Sequence, residues 1–131
     1  MNKKILVLGS VLGVIAIILG AFGAHGLKHL LSLDSMQTFE TGVRYQMYNA
    51  LFLMFIGGFG AISEKAKRTI FYLVLIGIIC FSGSIYGLAT NDLSGFDFKT
   101  IGFITPIGGL LLIVAWLIVL LKFLKLDRDK S

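Results

Sequence analysis

Cysteine occurs once, at position 80, proline once, at position 106, and only seven of the 131 residues are acidic. A single thiol excludes an intrachain disulfide, a CxxC redox pair and a thiolate metal cluster. A single proline leaves long stretches in which no amide donor is missing, so helix is unobstructed almost everywhere. Charge of either sign is scarce: 15 % of residues are charged and 56 % are apolar, with a mean hydropathy of +0.91. Ordinary soluble domains are about 45 to 50 % apolar, so the chain reads as an integral membrane protein. At this length it makes one domain, residues 1–131. About four spans of roughly 20 residues would occupy most of it and leave no room for a soluble catalytic domain.

What is present fits that reading. Apolar runs occupy residues 5–24, 43–62, 69–90 and 101–121. They are continuous rather than alternating, which predicts helices and not barrel strands, and in lipid only those two forms satisfy the backbone. The expected fold class is all-α, an integral membrane four-helix bundle. The first run also has signal-peptide features: Lys3 and Lys4 precede it, and it ends in the mostly small residues Ala21-Phe22-Gly23-Ala24. Its apolar core exceeds the usual about 7 to 15 residues of such a segment, which favours a span.

Basic residues are unevenly distributed. Lys3, Lys4, Lys65, Lys67, Arg68, Lys122, Lys125, Arg128 and Lys130 fall on one side of the predicted spans, against Lys28, Arg44 and Lys99 on the other. Cytoplasmic loops retain Lys and Arg, so both termini are predicted to be cytoplasmic in the plasma membrane. The same asymmetry accounts for the net charge of +5 without nucleic acid, and makes membrane lipids the expected partners.

Small residues form stripes. Gly9, Gly13, Ala16, Gly20 and Ala24 lie on one face of the first helix, and Cys80, Gly83, Ser84 and Gly87 on one face of the third, with Gly108 and Gly109 in the fourth. Such ridges serve packing within the bundle or, alternatively, homo-oligomer contact through the Gly9/Gly13/Gly20 or Gly83/Gly87 face. The segment from His25 to Gly42 is too polar to span. Its Leu27, Leu30, Leu31 and Leu33 suggest a short turn or helix on the headgroups. Asp34 or Ser35 is the expected cap of the second helix, which carries a Glu40–Arg44 i,i+4 pair and projects about two turns beyond the bilayer. Pro106 is expected either in the first turn of the fourth helix, capped by Thr105, or at a kink.

The polar side chains His25, Arg44, Gln46, Asn49, Ser82, Ser84, Tyr86 and Thr105 all fall in the outer halves of the predicted spans. The inner halves carry little beyond Ser10, Tyr72 and Trp116, the last two read as interfacial anchors. Polar groups in hydrocarbon are costly unless paired, so this layer points inward among the helices. One reading is an outward-facing pocket in which Arg44 holds an anionic headgroup or carboxylate while Gln46, Asn49, Ser84 and Tyr86 add hydrogen bonds. The other is a network that fixes helix register, with Arg44 snorkelling to the surface or satisfied by Glu40. His25 and His29, four residues apart, have no accompanying carboxylate or thiolate at a suggestive spacing, so no metal and no cofactor is expected.

Four ordered motifs carry a resemblance over nearly the whole chain: Ala21-Phe-Gly-Ala-His25-Gly, Phe39-Glu-Thr-Gly-Val-Arg44-Tyr-Gln-Met-Tyr-Asn49-Ala, Phe81-Ser-Gly-Ser-Ile-Tyr86 and Ile104-Thr-Pro-Ile-Gly-Gly109. They resemble the domain-of-unknown-function family 423, small and mostly bacterial four-helix membrane proteins. The resemblance implies a four-span plasma-membrane protein and no particular reaction. The family usually places histidine where this chain has Asn49, and commonly alanine where it has Gly42. Asparagine does not titrate near neutral pH, which argues against a proton relay at that position.

Three functions compete. The first is a non-enzymatic membrane protein whose polar layer binds a lipid headgroup or small molecule, or holds a membrane partner. The second is a small permease or channel acting as a homo-oligomer, which needs a polar path through both halves of the bilayer. The third is an enzyme on a lipid or quinone, with Ser84, His25 and Arg44 or Tyr86 as its groups.

Overall fold

The computed structural model describes residues 1–95 and 97–130, with side chains through Leu126. It contains α1 (Asn2–His25), α2 (Leu33–Gly58), α3 (Glu64–Ile78), a π-helical turn (Ile79–Gly83), α4 (Ser84–Ala89) and α5 (Ile104–Lys130), with 3-10 turns at Asn91–Leu93 and Phe98–Ile101. Strands are absent among the described residues. α3, the π turn and α4 run on as a single rod, Glu64–Ala89. That rod, Asn2–His25 and Ile104–Leu126 each have the length and apolarity to cross a bilayer. α2 is as long, but its first two thirds carry Asp34, Glu40, Arg44, Gln46 and Asn49. The four apolar runs thus correspond to three self-sufficient spans and one more polar helix packed among them.

α1 packs chiefly on α2, and α3 chiefly on α5. Ile5, Leu53, Ile56, Ile70, Val74 and Ala115 are sealed from the surface at the common core of these pairs. Lipid tails are as apolar as these side chains, so close packing and interhelical hydrogen bonds, rather than transfer from water, hold the faces together. The outward faces of α1 and α5, with Ile17, Ile18, Leu110 and Leu124, are exposed aliphatic side chains suited to lipid. A second small core of Leu27, Phe39 and Ala89 closes the end opposite the termini.

Part of the first stripe of small residues is packed inside the chain. Gly9 and Ala16 are buried. A Cβ at Gly9 would stand 3.0 Å from the Ala50 carbonyl oxygen, and one at Gly23 would meet the Phe39 ring at 2.8 Å. Gly83 is different: nothing lies within 4 Å of its missing Cβ.

Several local expectations need correction. α2 starts at Leu33, and its cap is Ser32, whose hydroxyl accepts from the Ser35 amide at 3.1 Å. Asp34 and Ser35 lie inside the first turn instead, because Ser32 offers the same chemistry earlier and leaves Asp34 to complement the helix N-terminus. The segment 33–42 is accordingly regular helix. Pro106 sits in the first turn of α5, where its missing amide breaks no helical bond, but Thr105 is within the helix and does not cap it.

Lys67 Nζ donates to Asn2 Oδ1 at 2.8 Å, and the Met1 amino group lies 3.5 Å from Glu64, which puts the start of α1 beside the α2–α3 turn. Lys65, Lys122 and Lys125 line one cleft at this same end. Lys3, Lys4, Lys65, Lys67, Arg68, Lys122 and Lys125 therefore lie toward one end of the bundle and Lys28, Arg44 and Lys99 toward the other, as their sequence positions imply; the side chains of Arg128 and Lys130 lie outside the described residues.

Candidate functional site

An unpaired amide in an apolar interior costs several kcal/mol, so the position of Gln46, 2 % exposed on α2, demands partners. It has two. Its Nε2 donates to the Leu12 carbonyl of α1 at 2.9 Å, and its Oε1 accepts from the Tyr86 hydroxyl at 2.7 Å. One side chain thereby ties three helices. Ser82, fully buried, donates from Oγ to the Gly42 carbonyl at 2.8 Å. That approach depends on glycine: a Cβ at position 42 would stand 2.7 Å from Tyr86 Cε1 and 3.0 Å from Ile85 Cγ2.

The π turn lies where α5 crosses the α3–α4 rod. A Cβ on Gly108 would strike the Phe81 nitrogen and the Cys80 carbonyl carbon, so the two backbones touch. Near this crossing the Ser84 and Thr105 hydroxyls share a hydrogen bond at 2.6 Å, which replaces the capping role expected of Thr105. Irregular backbone at membrane depth has to be covered by protein, and here α5 covers it. The sequence places the irregularity at Pro106; it falls at Ile79–Gly83 instead.

Asn49 begins a second layer. Its Nδ2 donates to the Tyr45 carbonyl at 2.8 Å, and its Oδ1 accepts from Trp116 Nε1 at 3.1 Å. Trp116 stacks on Phe52 with ring centroids 4.1 Å apart and planes 16° apart. It stands 12 residues after the start of α5, about 18 Å along the helix, so it is a mid-helix strut and not the interfacial anchor expected of it. Beside this strut runs a groove of about 530 Å³ between α2 and α5, from Tyr45 and Phe81 past Gly109 and Ile113 to Leu120.

The structure brings together Gln46 with Tyr86, Ser84 with Thr105, and Asn49 with Trp116, and sets Ser82 on Gly42. Arg44 and His25 stand apart from them. Arg44 is 57 % exposed, and its ion pair among the described residues is with Glu40, at 3.8 Å. His25 is exposed at the last turn of α1. The residues expected to form one pocket around Arg44 therefore satisfy one another instead, and among the described residues no buried side-chain nitrogen or oxygen lacks a partner. Ser84, engaged by Thr105, is not assembled with His25 into a nucleophile and base. Among the described residues no three His, Cys, Asp or Glu side chains converge.

Sequence reasoning missed Trp116 and Lys67. The first was placed by residue type alone. Lys67 reads from sequence as a loop charge, but it belongs to α3, where its i,i+3 spacing with Ile70 puts it on the buried face.

Apolar helices of spanning length, held by interhelical hydrogen bonds and packed through glycine, define a small helical integral membrane protein. Within that class the chain belongs to the family described as "Protein of unknown function (DUF423)", whose profile matches residues 19–109. It is 38 % identical over 124 residues to a UPF0382 membrane protein of Staphylococcus saprophyticus, covering 95 % of this chain and 99 % of that one. The UPF0382 membrane protein YwdK of Bacillus subtilis is 35 % identical over 130 residues, with 94 % and 98 % covered. A UPF0382 membrane protein of Haemophilus influenzae is 36 % identical over 117 residues, with 89 % and 90 % covered. No solved structure matches the chain.

Proposed function

We propose that this chain is a non-enzymatic, multi-pass protein of the cell membrane that holds a lipid acyl chain in the groove between α2 and α5. The observation that carries this reading is the groove's combination of a lateral opening and a fixed wall. Leu110, Ile113, Leu117 and Leu120 are exposed on the same part of α5, so the surrounding bilayer has access. The wall opposite is held by the Asn49–Trp116 hydrogen bond and the Phe52 stack, so little conformational freedom is lost on filling it. The polar layer is the support of this surface, its hydrogen bonds committed between helices, and Arg44 offers a separate exposed charge at the headgroup level.

α2 crosses the membrane with the other three, which puts both termini on the cytoplasmic side. Single cysteines at Gly60→Cys and Gly95→Cys in a Cys80→Ser background, exposed to an impermeant maleimide on intact cells, test this. Labelling at 95 alone is expected, and labelling at 60 would reverse the orientation.

Gly109→Leu tests the groove itself. A Cβ there would meet the Phe81 ring only at ordinary contact, 3.4 Å, so the added side chain occupies the groove without displacing backbone. Native mass spectrometry from gentle detergent should count one fewer retained phospholipid-mass adduct on Gly109→Leu than on the wild type. An equal number of adducts on both, or none on either, refutes the reading.

A further inference from the structure

At the end of the bundle that carries the termini, a separate cleft of about 350 Å³ opens between the first turns of α3 and the last turns of α5. It is lined by Ser63, Lys65, Ala66 and Thr69 on one side and by Ile118, Leu121, Lys122 and Lys125 on the other. We infer that this cleft binds the phosphate headgroup of an anionic glycerophospholipid.

Three features support it. Lys65, Lys122 and Lys125 bring three positive charges to one opening. None has a carboxylate within salt-bridge distance among the described residues, since the ion pairs found there are Met1 with Glu64 and Arg44 with Glu40. Arg44, at the other end, by contrast already has its acid. The N-terminus of α3 adds the partial positive charge of its free amides at the same level. The Ser63 hydroxyl accepts from the Ala66 amide at 3.2 Å, leaving its own proton available to a ligand oxygen.

The spacing selects a lipid over a soluble anion. Ile118, Leu121, Lys122 and Lys125 recur at three, four and seven residues, so they form one stripe of α5, charged at its end and aliphatic further in. Ala66, buried, continues the apolar wall from α3. A phosphate on the lysines would have its acyl chains directed along Ile118 and Leu121, the arrangement in which basic cavities between spanning helices receive anionic headgroups. A free inorganic phosphate would gain the charges and leave the apolar wall unused.

The test uses the full chain in nonionic detergent, titrated with dioleoylphosphatidylglycerol and separately with dioleoylphosphatidylcholine, adducts being read by native mass spectrometry. The wild type should prefer the anionic lipid, and the preference should fall by about fivefold for each lysine removed. Lys65→Gln/Lys122→Gln/Lys125→Gln should abolish it. Lys3→Gln/Lys4→Gln/Arg68→Gln, an equal charge change at the same end, should leave it. Equal loss in both triple variants would reduce the effect to net charge and overturn the site, as would the absence of any preference in the wild type. Displacement of the lipid by about 10 mM inorganic phosphate would overturn the lipid assignment, because screening alone at that concentration is weak. Circular dichroism monitors folding, and if the triple variant is not helical, Lys122→Gln alone and Lys65→Arg/Lys122→Arg/Lys125→Arg decide, the first weakening and the second retaining the preference.

Discussion

Replacing Gln46 with leucine removes the amide at the centre of the helix contacts while keeping nearly the same volume, so it isolates hydrogen bonding from cavity formation. Two bonds are lost, to the Leu12 carbonyl and from the Tyr86 hydroxyl. The carbonyl belongs to the interior of α1 and keeps its own helical donor, so its share of the loss is small. The half-buried hydroxyl is left without its acceptor, and interhelical bonds of this kind are worth about 0.6 kcal/mol on average and about 1.7 at most. The expected destabilisation of Gln46→Leu is therefore about 1 to 2.5 kcal/mol. Tyr86→Phe should cost about 1 kcal/mol. The double variant should lose less than the sum, with a coupling of about 0.6 to 1.7 kcal/mol, or roughly three- to eighteenfold in the unfolding constant. Reversible unfolding in mixed micelles against mole fraction of sodium dodecyl sulfate, followed by circular dichroism, measures all four species. A coupling within about 0.3 kcal/mol of zero, or a Gln46→Leu variant as stable as wild type, would refute the claim that this side chain sets the register of the helices.

The other predictions address separate parts of the bundle. Gly108→Ala forces apart the backbones of α5 and the π turn and should cost about 1 to 3 kcal/mol in the same unfolding assay, whereas Gly83→Ala, with open space around it, should stay within about 1 kcal/mol of wild type. Trp116 is the only tryptophan, so its fluorescence reports one indole. Asn49→Leu removes the acceptor of its Nε1 proton and should shift its emission maximum to shorter wavelength; an unchanged spectrum would contradict the contact. Arg44→Ala disrupts an exposed i,i+4 pair and should change stability by no more than about 0.5 kcal/mol, a larger loss showing that the guanidinium has a buried role.

The helical, membrane-embedded architecture is legible because it follows from run length and from the absence of alternation, and both survive any detail of packing. The concentration of basic residues at one end is equally legible. The partners of the polar residues are less so. Sequence places Gln46, Ser84 and Tyr86 at a similar depth, but depth does not say which way round a helix each side chain points, and Arg44 differs from Gln46 by two residues, about half a turn. That rotation sends one to the surface and the other to the interior. The π turn is hidden for a related reason: it inserts an offset into the 3.6-residue period that no residue in Ile79–Gly83 announces, and it becomes visible only through Gly108, a glycine on another helix. Ser32 does not stand out as the cap in sequence because Asp34 and Ser35 offer the same chemistry two and three residues later.

If α2 spans the bilayer as proposed, its pairing with α1 bears on the order in which this protein enters its membrane. Gln46 and Asn49 would bring bare amides into hydrocarbon if α2 inserted alone, which is costly while they are unpaired. Arriving as a hairpin with α1, α2 finds the Leu12 carbonyl for Gln46 immediately, and Gly9 lets the two backbones close at once. Two oxygens of α2 then still lack their donors, the Gln46 Oε1 and the Asn49 Oδ1. Tyr86 and Trp116 supply them, and both belong to the half of the chain synthesised later. In the proposed four-span arrangement the first hairpin therefore presents two acceptors that only the later-synthesised half of the chain satisfies.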